Sequence, residues 1–93
     1  MRESTVETAI RKYAESKGCV FLKLAPVPGS NGKPDRLVLA PGGRAMFLEL
    51  KKPGETLEPL QGWWQRRLRS MGHISEWCDN AVVGKKLIDN LIS

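Results

Sequence analysis

Glu49 and Lys51 lie in the stretch Met46-Phe47-Leu48-Glu49-Leu50-Lys51-Lys52, where apolar and charged residues alternate. Side chains along a strand alternate faces with a period of two. Glu49 and Lys51 therefore share a face with Phe47, while Leu48 and Leu50 point to the other. An exposed carboxylate–ammonium pair alone contributes little. Upstream, Gly32-Lys33-Pro34-Asp35 brings a second carboxylate to the start of another strand pattern, Arg36-Leu37-Val38-Leu39-Ala40. Asp35, Glu49 and Lys51 on adjacent strands have the makings of a metal-assisted phosphodiester-hydrolysis site. Magnesium is a hard cation that takes oxygen ligands and keeps several waters, so two carboxylates and a backbone carbonyl, here that of Leu50, suffice beside a substrate phosphate. Such a metal makes bound water more nucleophilic and stabilises charge on phosphate oxygens. Lys51 has the charge to orient that water or to neutralise the developing negative charge. Gln61 is a neutral group able to steady the lysine or the water from a neighbouring helix.

Seven elements must position these groups, in the order α, β, β, β, α, β, α. Ser4 or Thr5 reads as the N-cap of a helix running to about Ser16, with Glu7 at capping-box spacing from Ser4. Glu7 has two readings, a capping carboxylate or a side chain projected toward whatever the helix packs on. Val6, Ala9, Ile10, Tyr13 and Ala14 form the apolar stripe of that helix, and Gly18 stops it. The apolar run Cys19 to Leu24 predicts a mostly buried strand, with Lys23 either at an edge or facing the polar cleft. Three prolines and two glycines make residues 25–34 a loop. Pro41-Gly42-Gly43 folds Arg36–Ala40 and Arg44–Lys51 into an antiparallel hairpin.

After a connector over 52–58, Pro59 occupies the first turn of a helix whose Leu60, Trp64, Leu68 and Met71 recur at helical spacing. A core role suffices for the tryptophans of that helix, and Arg66, Arg67 and Arg69 make its other side basic. Gly72 ends it, and His73 to Cys78 reads as a strand parallel to an earlier one through the helical crossover. A single histidine builds no zinc site, so His73 is a strand or cap residue. Asp79 or Asn80 caps a last helix carrying Val83, Leu87, Ile88, Leu91 and Ile92.

The chain of 93 residues is read as one domain, 1–93, with a small core. Its hydrophobic fraction of 41% and charged fraction of 27% are those of a folded globular protein rather than a disordered one. Lys and Arg outnumber Asp and Glu by 15 to 10, a balance that favours polyanionic partners. The candidate phosphate contacts are Lys23, Lys33, Arg36, Lys52, Arg66 and Arg67; for the helical arginines a solvated face is the plain alternative. Cys19 and Cys78 are too far apart for a Cys-x-x-Cys motif and read as small buried hydrophobes in a reducing compartment. No apolar run approaches the ~18 residues of a membrane span, so no membrane partner is expected.

Four elements taken in order resemble the PD-(D/E)XK nuclease superfamily, and more closely its virus-type replication-repair nuclease (VRR-Nuc) family. They are Glu7 in the first helix, Gly-x-Pro-Asp-Arg at 32–36, Phe-x-Glu-x-Lys at 47–51 and Gln-x-x-Trp at 61–64. The resemblance covers nearly the whole chain. It implies an α/β, restriction-endonuclease-like core of order αβββαβ plus a C-terminal helix, with a mixed sheet flanked by helices. It also implies a divalent-metal-dependent DNA endonuclease using Mg2+ or Mn2+ and no small-molecule cofactor. In that reading Asp35 and Glu49 are metal ligands, Lys51 the catalytic lysine, Gln61 a supporting residue, and Glu7 a further metal-site or water-binding acid. A homodimer acting on branched DNA, such as a Holliday junction or a flap, in the cytoplasm of a bacterial or phage-infected cell completes the expectation. The end of the last helix (Ile88, Leu91, Ile92), with Trp77 or Trp63, offers apolar material for the dimer interface or else closes the monomer core. The rival reading is a non-catalytic basic DNA-binding module whose acids only form salt bridges.

Overall fold

The computed structural model describes residues 2–93. The elements are α1 (Glu3–Ser16), β1 (Val20–Lys23), β2 (Arg36–Ala40), β3 (Arg44–Leu50), α2 (Pro59–Ser70), β4 (Ile74–Cys78) and α3 (Ala81–Ile92). The strands form one sheet in the order β1-β2-β3-β4. β1 with β2 and β2 with β3 are antiparallel, whereas β3 and β4 are parallel through the α2 crossover. This is the α/β, mixed-sheet architecture expected, with the hairpin where Pro41-Gly42-Gly43 put it.

The register divides the sheet into two faces. Val38, Met46, Leu48, Leu50 and Cys78 point to the face that α1 and α3 cover, and with Val6, Ile10, Ala14, Ile88 and Leu91 they make the core. Every one of these residues is no more than 3% exposed. The helices approach closely there, because a Cβ on Gly84 of α3 would stand 2.3 Å from Cδ1 of Ile10. The clamp continues outside, where the Tyr13 hydroxyl donates to Asp89 Oδ1 at 2.6 Å and the Lys17 and Lys85 ammoniums lie over the Tyr13 ring. Burial pushes the Cys78 thiol up to about 11. Ile88 and Leu91 therefore close the monomer core, and the interface alternative for the end of α3 loses its two most buried residues.

α2 packs on β4, and its buried Leu68 lies outside the core cluster, so the helix belongs to the other side of the sheet. Three local expectations are corrected. The N-cap of α1 is Arg2, with no side-chain hydrogen bond, so neither Ser4 nor Thr5 caps the helix and Glu7 is not a capping carboxylate. β1 is an edge strand rather than a buried one, and leaves Val20 52% and Leu22 40% exposed. Its continuous apolar run is accounted for by Phe21, which packs on the core, and by Val20 and Leu22 on the opposite side, where α2 packs on β4 rather than on β1. Trp63 is 48% exposed instead of buried. Of the two candidate caps of α3, Asn80 accepts from the Val83 N–H at 2.9 Å, and Asp79 turns to the Gly54 N–H.

Candidate active site

Asp35 ends the loop over 25–34, one residue before β2. Pairing of Arg36 with Leu48 in the antiparallel register sets Asp35 opposite Glu49 one step beyond the ladder. The backbone there is held from the other side, since the Leu24 N–H donates to the Asp35 carbonyl at 2.9 Å. Glu49 pairs with Trp77 across the parallel ladder, on the face opposite the α1–α3 core, and is 8% exposed. Lys51 follows β3 and is anchored by its N–H to the Cys78 carbonyl at 2.9 Å. Strand alternation thus puts Asp35, Glu49 and Lys51 on one side, at the end where β2 begins and β3 finishes. The Lys51 ammonium makes no ion pair among the described residues.

Arg36, next in the chain, points the opposite way. Its guanidinium is 3% exposed; Nη2 reaches Glu7 Oε2 at 2.6 Å and Nη1 reaches Asp35 Oδ2 at 3.0 Å. One cation therefore links the first helix to the site aspartate. An Arg–carboxylate pair of this kind is charge-assisted and fixes geometry as well as adding energy. Burial removes Arg36 from the set of phosphate contacts expected from sequence. It also gives Glu7 a definite place, bound to Arg36 twenty-nine residues away in the chain. Only the fold brings these two together, and no spacing rule links them.

With Oδ2 taken up by Arg36, Asp35 Oδ1 is left buried and, among the described residues, without a hydrogen-bond partner. A buried carboxylate oxygen in that state is costly unless something binds it. Beside the carboxylate of Glu49, this is the donor chemistry of a hard divalent cation that retains waters. No group of three His, Cys, Asp or Glu side chains among the described residues could hold a metal, which sets aside a closed, all-protein zinc-type cage. The residues fit an open two-carboxylate site, with the Leu50 carbonyl at the end of β3.

Gln61 is drawn into the start of α2. Its Oε1 accepts from the Glu58 N–H at 2.9 Å, and the Gln61 N–H donates in return to the Glu58 carboxylate, completing a capping box with Pro59 at the first helical position. The same helix holds the aspartate's loop. Trp64 Nε1 donates to the Asn31 carbonyl at 2.9 Å, and Leu60 lies against Gly32. Gly32 has φ +83°, and a Cβ there would come 2.7 Å from Leu60 Cγ, which gives a physical reason for glycine in Gly-x-Pro-Asp-Arg. Leu24, Pro26, Val27, Ser30, Lys33 and Asp35 line most of a cavity of about 200 Å3 beside this loop. Beyond β3, Asp79 Oδ2 accepts from the Gly54 N–H at 2.9 Å, tying down the connector after Lys51. That bond, with a second from the Asn80 side chain, holds the Asp79 carboxyl below its usual value.

The helical arginines divide. Arg69 donates to the Ser75 carbonyl at 2.8 Å and pairs with Glu76, so it joins α2 to β4. Arg66 and Arg67 are exposed and make no ion pair among the described residues. The ammoniums of Lys23, Lys33 and Lys52 likewise make no ion pair there. His73 makes a T-shaped contact with Phe47, with ring centroids 5.9 Å apart.

No protein-family model matches the chain. A phage protein named "Putative nuclease p44", from Acyrthosiphon pisum secondary endosymbiont phage 1, is 37% identical over 73 residues, covering 78% of this chain and 77% of its own length. A solved structure described as a VRR_NUC domain superposes with a TM-score of 0.84 at 28% identity, over 94% of each chain. A second, described as a VRR_NUC domain protein, has a TM-score of 0.78 at 16% identity, over 99% of this chain and 88% of the other, and speaks for the fold. With the phage relative's identity and the superposition over 94% of each chain taken together, this chain belongs to the VRR-Nuc family of nuclease domains.

Proposed function

We propose that the chain is a divalent-metal-dependent DNA endonuclease in which Asp35 and Glu49 hold the metal. The observation that carries this reading is the buried, unpartnered Oδ1 of Asp35 across the strand register from Glu49. Magnesium or manganese held there, with the Leu50 carbonyl as a further oxygen, supplies an activated water and charge stabilisation at the scissile phosphate. Arg36 fixes the Asp35 carboxylate by occupying Oδ2, so that Oδ1 is the oxygen presented. Glu7 acts through Arg36 as a positioning residue. Lys51 offers its ammonium to the negative charge that grows on the phosphate oxygens, an interaction that strengthens in the transition state. Gln61 keeps the start of α2 in place beside the site. Lys23, Lys33, Lys52, Arg66 and Arg67 supply the sequence-independent attraction for the DNA backbone.

The working unit in this reading is a homodimer on branched DNA, since a junction has two strands to cut and a two-fold pair presents two sites in fixed relation. Val20, Leu22 and Leu39, exposed on the sheet face that also carries the site, are apolar residues available for such an interface, as is the half-exposed Trp63. The test is cleavage of linear, flapped and four-way DNA with magnesium, manganese or chelator, by the wild type, Asp35→Asn and Glu49→Gln. Both variants should fold and lose cleavage. Undiminished cleavage by Asp35→Asn would falsify the metal mechanism. Metal-indifferent DNA binding without cleavage would favour the non-catalytic basic module. Sedimentation across a concentration series decides the assembly.

A further inference from the structure

We infer that the outer face of α2 binds an unpaired base of the DNA substrate, with Trp63 as the stacking platform and Arg66 and Arg67 as the phosphate grip. This rests on the nuclease reading and narrows its substrate to DNA with a single-stranded arm.

Trp63 is one of the largest apolar side chains in the chain, yet folding leaves it 48% exposed. It meets Trp64 in a T-shaped arrangement, with centroids 5.3 Å apart at 88°, which braces its ring while about half of the residue stays exposed. Trp64 is fixed in turn by its hydrogen bond to the Asn31 carbonyl. Arg66 and Arg67 follow Trp63 by three and four residues, the spacing that stacks side chains on one face of a helix. The Arg66 side chain runs back over Gly62, the residue before Trp63, where a Cβ would stand 3.2 Å from its Nη1. α2 contains no acidic residue to neutralise the pair. An aromatic platform flanked by unpaired cations is the chemistry that holds single-stranded nucleic acid, since every base has a face to stack and every nucleotide a phosphate. A duplex offers the phosphates but not the free base face.

Trp64 and Leu60 also set the location. They clamp α2 to Asn31 and Gly32, and Asn31 precedes Asp35 by four residues, a chain reach of at most about 14 Å. The platform is therefore a few nucleotides from the phosphate that the site would cut.

Binding is measured in chelator, so that no hydrolysis intervenes, with labelled duplex DNA that is either fully paired or carries a single-stranded arm. Trp63→Leu keeps apolar bulk against Trp64 but has no π face, and Trp63→Phe keeps a smaller one. Trp63→Leu should weaken binding of the armed DNA about tenfold, the scale of one base–aromatic stack, while the paired duplex changes less than about twofold. Trp63→Phe should recover most of the loss. Oligothymidylate should quench tryptophan emission in the wild type and far less in Trp63→Leu. Equal loss on both DNAs, no loss on either, or conversion of a dimer to a monomer by Trp63→Leu overturns the inference, the last by assigning Trp63 to an interface between copies. A protein that discriminates through Trp63 but never cleaves keeps this inference and loses the hydrolytic one.

Discussion

Gly84→Ala tests how the core was closed. The added methyl would stand 2.3 Å from Ile10 Cδ1, 2.6 Å from Ile10 Cγ1 and 3.4 Å from Cys78 Sγ. Relaxed carbon contacts lie near ~3.5–4.0 Å, so the overlap exceeds about 1 Å at a side chain with no solvent to move into. Overpacking of this kind costs about 1–3 kcal/mol. Alanine returns up to about 1 kcal/mol of helix propensity. The expected net loss is about 1–2 kcal/mol, or roughly 5–15 °C in Tm for a domain of this size. In an Ile10→Ala background the sign should reverse. That change alone costs about 2–5 kcal/mol, but the methyl at position 84 then enters vacated space, adding about 0.8 kcal/mol of burial to the propensity gain. Urea and thermal unfolding of the four proteins give the cycle, with an expected coupling of at least about 2 kcal/mol. Cleavage per folded molecule at low temperature should not change, since the methyl lies across the sheet from Asp35 and Glu49. A stabilising Gly84→Ala in the wild-type background, or additive changes, would refute the packing argument.

Lys51→Ala should lower single-turnover cleavage far more than DNA binding; a fall in binding with an unchanged rate would make Lys51 a phosphate anchor only. Charge reversal at Arg66 and Arg67 should lessen the slope of log affinity against log salt by roughly 0.9 for each duplex phosphate no longer neutralised, whereas Arg69→Glu, which breaks the bonds to Glu76 and Ser75, should act mainly on Tm. Asp79 bears on acid stability: its folded pKa lies below the ordinary 3.8 because the Gly54 and Asn80 donors favour the carboxylate. Its contribution is therefore fully present above 3.8 and disappears as pH falls through the lower folded value. Asp79→Asn should reduce stability at neutral pH and flatten the loss below 3.8, read by urea midpoints across pH.

The periodic elements were legible in the sequence because each carries its own signal. Pro59, the glycine turns and the alternation through Glu49 place α2, the hairpin and the site strand without tertiary information. Four features were not. Glu7 satisfies a local capping pattern, but the buried Arg36 guanidinium is the stronger partner and lies on a different element. The apolar run of β1 reads the same for a central as for an edge strand, and only strand order separates them. Trp64 belongs to the helical stripe and Trp63 only flanks it, so a core role sufficed for both in sequence, while the hydrogen bond to Asn31 selects Trp64 as the anchored one. Ile88 and Leu91 were open between core and interface until the approach of α1 to α3 enclosed them.

The alternation along β3 also decides which insertions and deletions a gene for this protein tolerates. Glu49 lies between Leu48 and Leu50, both no more than 1% exposed. Loss of a single codon inside β3 would exchange the two faces for every residue beyond it, driving a carboxylate into the α1–α3 core and turning a leucine toward the site. Loss of two codons keeps the parity and displaces the carboxylate by one step along the same face. Length variation among functional alleles should therefore gather in the segments 25–30 and 52–57, where no ladder transmits the shift. Within β3, single-codon changes in length should be lethal to folding and activity alike.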